Sequence, residues 1–328
     1  MFRIRETDHF VIAFDTPYPE LQALIGRLEG TYKVVMKFCD ALQLDVQPLE
    51  QPLGVIFHDR AEAFDGFMKD VGVNAQGIAG LYEPRSNLAA FCSTRANPAM
   101  QPVNQRIEQL QEQFHKAQAG RRGQVRRQLQ AFQVQRDAIV ERFNRLVIQH
   151  EAAHQILFNI GVHPRGARAP RWLVEGLACQ FEVPQPRLER GKLQVNHVRL
   201  FDLRDALGLD DNVRTLTETQ YEAAFTAGRM LPLRDLIGHD GLFSSAGTEL
   251  TVRYAQAWSL VYFLQAHHRE GFTGYLRALA RREPGAPVSD DEEVTAFESH
   301  LGPLDDASQL RWLESTVQLK LDPRRAGR

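Results

Sequence analysis

His150, Glu151 and His154 stand in the pattern H-E-x-x-H, and Glu175 follows inside the string RWLVEGLA at Arg171–Ala178. On a helix, positions i and i+4 project from one face, so both imidazoles can reach one ion. Residues around 150 are therefore expected to be helical. Glu151 occupies the same turn, close enough to take a proton from a water held by the metal. A third ligand, Glu175, arriving on a separate helix would leave the fourth tetrahedral position open. That is the arrangement of a catalytic zinc and not of a structural one. A set of two histidines and one carboxylate also suits iron or manganese.

The apolar residues leading into the motif point the same way. Val125, Leu129, Phe132, Ile139, Phe143 and Val147 form a stripe whose face includes His150 and His154. The ligands are thus expected to turn inward, where histidines and a glutamate without a partner are costly. Bound zinc is a Lewis acid and lowers the pKa of water toward neutrality. Glu151, which is not a ligand, is the expected general base.

Composition excludes several other classes. The chain has 328 residues, 43% hydrophobic and 24% charged, with a formal net charge of −2. Such a balance points to no nucleic acid and no anionic surface. Cys39, Cys92 and Cys179 are odd in number and far apart, so they read as small buried apolar side chains. The basic run Arg121 to Arg127 has no interleaved aromatics and reads as a solvated helix face. No segment approaches the ~18 apolar residues of a membrane span. The N-terminus has no apolar core of a signal peptide, so the chain as written reads as cytoplasmic, and as exported if a leader has been trimmed. The expected partner is a peptide or protein substrate, and the oligomeric state is open.

Along the chain, His9–Phe14 and Leu53–Phe57 read as strands, and residues 18–43 and Arg60–Val71 as helices. Ile78–Tyr82 and Asn87–Cys92 form a hairpin, of which Asn87–Cys92 is expected to be an edge that could line a cleft. Residues 99–160 are helical, with a break or hairpin turn at Gly120–Gly123 and an end at Gly161. Pro170 opens the next helix, in which Gly176 and Trp172 read as packing residues, Gly176 permitting close approach to a neighbour and Trp172 able to roof the site. A strand is expected at Lys192–Val198, then helices at roughly 249–268, 271–282, 290–299 and 305–319. Ser289 and Glu292 form a capping box for the third of these. Asp322–Arg328 reads as a mobile tail. Asn159, Glu182 and Arg199 could support the ligands or touch substrate but read as ordinary polar residues, and the histidines outside the motif, His58 and His163 among them, as surface groups.

H-E-A-A-H followed by R-W-L-V-E-G-L-A resembles the gluzincin clan of metallopeptidases. More narrowly, the order of features is similar to a bacterial family of peptidase-MA-like proteins of mostly unassigned activity. The resemblance implies that Glu175 is the third zinc ligand. Tyr254, in the segment Tyr254–Leu264 (YAQAWSLVYFL), is similar to the tyrosine that stabilises the oxyanion in gluzincin aminopeptidases. Ala257 replaces a glycine of that pattern, and a core tyrosine is the alternative; His197 is a reserve donor. No G-x-M-E-N segment is present to hold a free amino terminus, so endopeptidase action stays open beside exopeptidase action.

The expected fold is α+β and zincin-like, a small N-terminal sheet packed on the H-E-x-x-H helix, then a mainly helical C-terminal lobe. The corresponding domains are 1–185, carrying both ligand helices, and 186–328. The expected function is zinc-dependent hydrolysis of peptide bonds, with His150, His154 and Glu175 on the metal, Glu151 as base and Tyr254 as oxyanion donor. Two rivals remain. One is a non-catalytic binding or scaffold protein on the same fold, its partner element the Gln/Arg-rich stretch 101–145. The other is a zinc hydrolase of a non-peptide amide or ester.

Overall fold

Alternation of buried and half-buried side chains in Phe10–Phe14 and Leu53–His58 is what one apolar sheet face requires. A computed structural model describes residues 2–73, 79–93, 100–189, 191–244 and 247–326. It is α+β, with a small N-terminal sheet and a helical C-terminal part. Contacts divide the chain into two units, Met1–Glu29 with Gln51–Ala152, and Gly30–Glu50 with Ala153–Arg328.

The first unit holds a five-stranded sheet ordered β1-β2-β3-β5-β4. The strands are β1 (Arg3–Glu6), β2 (Phe10–Phe14), β3 (Leu53–His58), β4 (Gly80–Glu83) and β5 (Leu88–Cys92). β2, β3 and β5 run parallel, and β1 and β4 pair antiparallel at the two edges. Helix α1 (Tyr18–Ala41) connects β2 to β3 and passes from one unit to the other, and α2 (Ala61–Asp70) follows β3. The hairpin strand containing Asn87–Cys92 is not an edge, because β5 is hydrogen-bonded to β3 on one side and β4 on the other. The edge belongs to β4. Ile78, expected in the hairpin, lies outside the described residues.

Two packed antiparallel helices follow, α3 (Gln101–Lys116) and α4 (Ala119–Phe143). The break between them is at Ala117 and Gln118, and Gly120 and Gly123 fall inside the start of α4. One extended residue, Ala117 at ψ 133, suffices to stop the first helix, so the glycines are not needed as a hinge.

In the second unit, α10 (Thr248–His267) is the helix around which others gather. Ala255, Ala257, Trp258 and Val261 on it are wholly buried. Helix α6 (Arg171–Ala178) lies on it, as does α7 (His197–Ala206). Helix α5 (His150–Asn159) precedes α6, and the short strands β6 (Leu188–Glu189) and β7 (Lys192–Leu193) lie between α6 and α7. Further along are α8 (Glu218–Thr226), α9 (Leu233–Gly238), α11 (Arg269–Ala280), α12 (Asp290–Leu301) and α13 (Asp306–Val317). The capping box of Ser289 and Glu292 is formed, each side chain bonded to the other's backbone amide.

Two expectations are overturned here. The strand expected over Lys192–Val198 stops at Leu193, because the Asn196 side chain accepts from the amides of Val198 and Arg199 and starts a helix. The tail is held: α14 (Pro323–Ala326) packs on α7, and Ala326 joins a buried cluster with Cys179, Leu200 and Trp258. Gly327 and Arg328 lie outside the described residues. All three cysteines are buried and none is in a disulfide, as expected.

Candidate metal centre

The chain reaches the motif through a wide π-helical turn, Asn144–Gln149, which ends where α5 begins at His150. Such turns insert one residue and rotate the helix beyond them, and they recur at functional sites. α5 runs unbroken from His150 to Asn159 across the division of the two units. Ala152, Ala153, Ile156 and Leu157 are wholly buried, so this short helix is held by its packing. Gly161, at φ +82, takes the left-handed conformation that terminates it.

His150 and His154 are 4% and 7% exposed, and Glu175 is 4% exposed, so all three are withdrawn from solvent. Their ligand atoms lie within 4.8 Å of one another. His154 Nε2 stands 3.3 Å from Glu175 Oε2. That is long for a charge-assisted hydrogen bond, for which about 2.7–2.9 Å is usual. It equals the edge of a tetrahedron whose ligands sit about 2.0–2.1 Å from a central zinc, roughly 3.4 Å. Two imidazoles and a carboxylate, buried at this spacing, are a donor set that fits zinc. The other Glu175 oxygen faces the Arg171 guanidinium at 3.4 Å, one turn earlier on α6.

α6 starts at Pro170, whose extended ψ of 133 fits the position before a helix, and every residue from Trp172 to Ala178 is buried. Gly176 makes this possible. A Cβ there would stand 2.6 Å from the Ala257 carbonyl oxygen on α10, so the two helices touch backbone to backbone. Trp172 is a packing residue, stacked on Tyr275 at 6.0 Å and edge-on to Phe297 at 5.8 Å.

Glu151 is half-buried, and its Oε2 accepts from the backbone N–H of Tyr82 at 2.8 Å. That amide points away from β5, so the outer edge of β4 holds the carboxylate. Tyr254, on α10, has its ring stacked on Phe243 and covered by the Arg199 guanidinium, 5.3 Å from the ring centre. His197 is engaged elsewhere, since its Nδ1 accepts from the Asp322 amide at 3.1 Å.

Sequence reasoning missed two features. His163, read as a surface group, is 1% exposed, and burial, with His154 nearby, pushes its pKa down to about 3 against the pull of Glu175. The imidazole is therefore neutral. Glu182 and Arg199, read as ordinary polar residues, form a buried bidentate ion pair, Nε to Oε2 at 2.8 Å and Nη2 to Oε1 at 2.7 Å. The Asn196 amide also donates to Glu182 Oε2 at 3.0 Å, and the Cys179 thiol lies 3.6 Å from Oε1. His150, Cys179 and Glu182 constitute a second group whose ligand atoms all fall within 4.8 Å. The available signal was the position of Glu182, at the end of a run in which Ala178, Cys179 and Phe181 leave no polar surface to sit on.

No described helix is long and apolar enough to cross a membrane. No curated protein matches the chain. Residues 145–286 match a family described as a protein of unknown function, DUF1570, and this stretch, fewer than half of the residues, contains α5, α6 and α10.

Proposed function

We propose that this protein is a zinc-dependent hydrolase that cleaves peptide bonds. The observation that carries the reading is the buried set of His150, His154 and Glu175, with its 3.3 Å nitrogen-to-oxygen edge and a glutamate next in sequence. His150, His154 and Glu175 would hold the ion. Zinc there supplies Lewis acidity and brings the pKa of a water toward neutrality. Glu151 accepts the proton of the attacking water and passes it to the departing nitrogen. The Tyr82 amide, by donating to one carboxylate oxygen, orients Glu151. Burial of the site excludes bulk water, which strengthens each of these interactions. A substrate chain in extended form can add to the outer edge of β4, beside Glu151. Tyr254 is the proposed donor to the oxygen that becomes negative in the tetrahedral intermediate.

The test is digestion of a mixed peptide library by the purified protein and by Glu151→Gln, with zinc counted in both. The reading expects one zinc per chain in each protein and a loss of cleavage of about 10³-fold or more in the variant, since the base and its charge are both removed. Equal cleavage by both proteins, or wild-type protein that retains no metal, defeats it. Zinc in both with cleavage by neither makes the site a binder or the substrate something other than a peptide.

A further inference from the structure

In the first unit, three neighbouring parallel strands end side by side on residues that carry chemistry. His58 closes β3 and is in register with Cys92, which closes β5. On its other side, Phe14 of β2 is in register with Phe57. The next amide, that of Asp15, donates to the Phe57 carbonyl at 3.3 Å, so Asp15 stands beside His58. Register partners share a sheet face, and adjacent strands lie about 4.8 Å apart. His58 and Cys92 are each 5% exposed. Cys92 belongs to a buried cluster with Phe64 and Met68 of α2, and the His58 ring lies 6.1 Å from the Phe64 ring. Neither ring nitrogen of His58 has a hydrogen-bond partner among the described residues. A buried imidazole with both nitrogens idle is costly, and a neutral imidazole is a metal ligand.

The row runs carboxylate, imidazole, thiol, the order in which a cysteine nucleophile is activated. Its surroundings oppose that use. Burial, with Asp65, Asp59, Glu62 and Asp15, pushes the Cys92 thiol up to about 11, and neither His58 nitrogen is hydrogen-bonded to it. The same carboxylates lend a negative field that suits a cation. A divalent ion in need of three or four ligands is not served here. Among the described residues, the groups of three ligand atoms within 4.8 Å of one another all include His150. A soft monovalent ion accepts fewer ligands, and thiolate, thioether and imidazole are the donors that select copper(I). Met68, wholly buried in the cluster with Cys92, brings a thioether to the same place. We infer that His58 and Cys92 form a binding site for a soft monovalent cation of the copper(I) class. On binding, the Cys92 S–H bond breaks, its proton leaves to solvent, and the ion joins the thiolate to a ring nitrogen of His58. No oxidation state changes. The unit formed carries no net charge, which favours a monovalent over a divalent ion where water is excluded.

The experiment loads the full chain with copper(I) under reducing, oxygen-free conditions and titrates it with a colorimetric copper(I) chelator, for wild type, Cys92→Ser and His58→Gln. Wild type is expected to retain one ion per chain. Each variant is expected to lose about 100-fold or more in affinity, beyond the range usual for an outer-shell partner. Folded variants that hold copper(I) as tightly as wild type overturn the inference, as does wild-type protein that yields all of its copper to the chelator. Where neither variant folds, wild type carrying isotope-labelled histidine is titrated with silver(I) and followed by NMR. The ring nitrogens of His58, assigned through the contacts of the ring with Phe64 and Phe67, are expected to shift. An unmoved His58 signal overturns the inference equally. Neither readout depends on the zinc site proposed above.

Discussion

At the scale of single residues, burial of a polar group is the property that spacing conceals most completely. His58 ends an apolar strand and carries no motif. It is nonetheless 5% exposed, set edge-on to Phe2 and Phe64 at 5.4 and 6.1 Å, with neither ring nitrogen partnered among the described residues. Burial lowers its pKa, and the nearby Asp15 carboxylate restores only part. Linkage gives the sign of the consequence. Below about pH 6.5 the unfolded chain binds a proton that the folded imidazole refuses. Stability is therefore full above that pH and falls as the solution is acidified toward the depressed folded value. The slope from one such group is at most about 1.4 kcal/mol per pH unit. His58→Leu removes the titration, so its urea midpoint is expected to drop less than that of wild type between about pH 7.5 and about pH 5. Parallel losses in the two proteins would place the acid sensitivity elsewhere. Glu182 and Arg199 were hidden for the same reason as His58. A charged letter in a sequence predicts surface, and only the fold reveals that each is the other's solvent.

At the scale of elements, the position of α6 against α10 decides where Glu175 stands, and Gly176 decides that position. Gly176→Ala puts a methyl group 2.6 Å from the Ala257 carbonyl and 2.8 Å from Val261 Cγ2. Backbone cannot yield as a side-chain tip can, so the helices must separate. The expected cost is about 1–3 kcal/mol of stability, as for other overpacked contacts. Because Glu175 is the preceding residue, zinc affinity should fall as well. Melting of the metal-free variant and a chelator titration check both, and an unchanged melting temperature would mean that the two helices part without loss. This close approach was legible beforehand from a glycine within an apolar helix, as were β2, β3, α1, α5, α6 and α10, whose apolar residues repeat at the period of their element. The elements that were not legible lack such a repeat. β1 is a charged edge strand with every side chain exposed. α7 buries Arg199 and Arg204 beside Val198, Leu200 and Leu203, so hydrophobicity does not trace its inner face. α9 is six residues long, too short for a period to emerge. α8 had a signal, the capping box of Thr217 and Gln220, that no apolar stripe drew attention to.

At the scale of the molecule, sequence similarity and structural self-sufficiency have different limits. The match to the family of unknown function stops at residue 286, whereas the unit that contains α6 and α10 draws on Gly30–Glu50 and runs on past that point. Phe38, wholly buried, packs edge-on against Phe181 at 5.7 Å, and the Gln47 amide donates to the Ile160 carbonyl at 2.8 Å. On the other side of the match, Trp312 is wholly buried, with its Nε1 donating to Ser259 on α10 at 3.1 Å. Arg204, 1% exposed and without an acidic partner in its hydrogen bonds, gives one of them to the Val317 carbonyl. A fragment of residues 145–286 loses Phe38, Gln47, Trp312 and Val317 together. Losing one buried aromatic costs about 3–5 kcal/mol, and two of these lost side chains are aromatic. The sum matches the whole stability of an ordinary domain, about 5–15 kcal/mol. The fragment is therefore expected to show a collapsed amide spectrum and no cooperative thermal transition, even though it contains His150, His154 and Glu175. Dispersed amide resonances with a sharp transition in this fragment would show that the flanking helices are dispensable. The ligands would then be organised by the matched stretch alone, and the helices outside it would be additions to a metal-binding unit already complete.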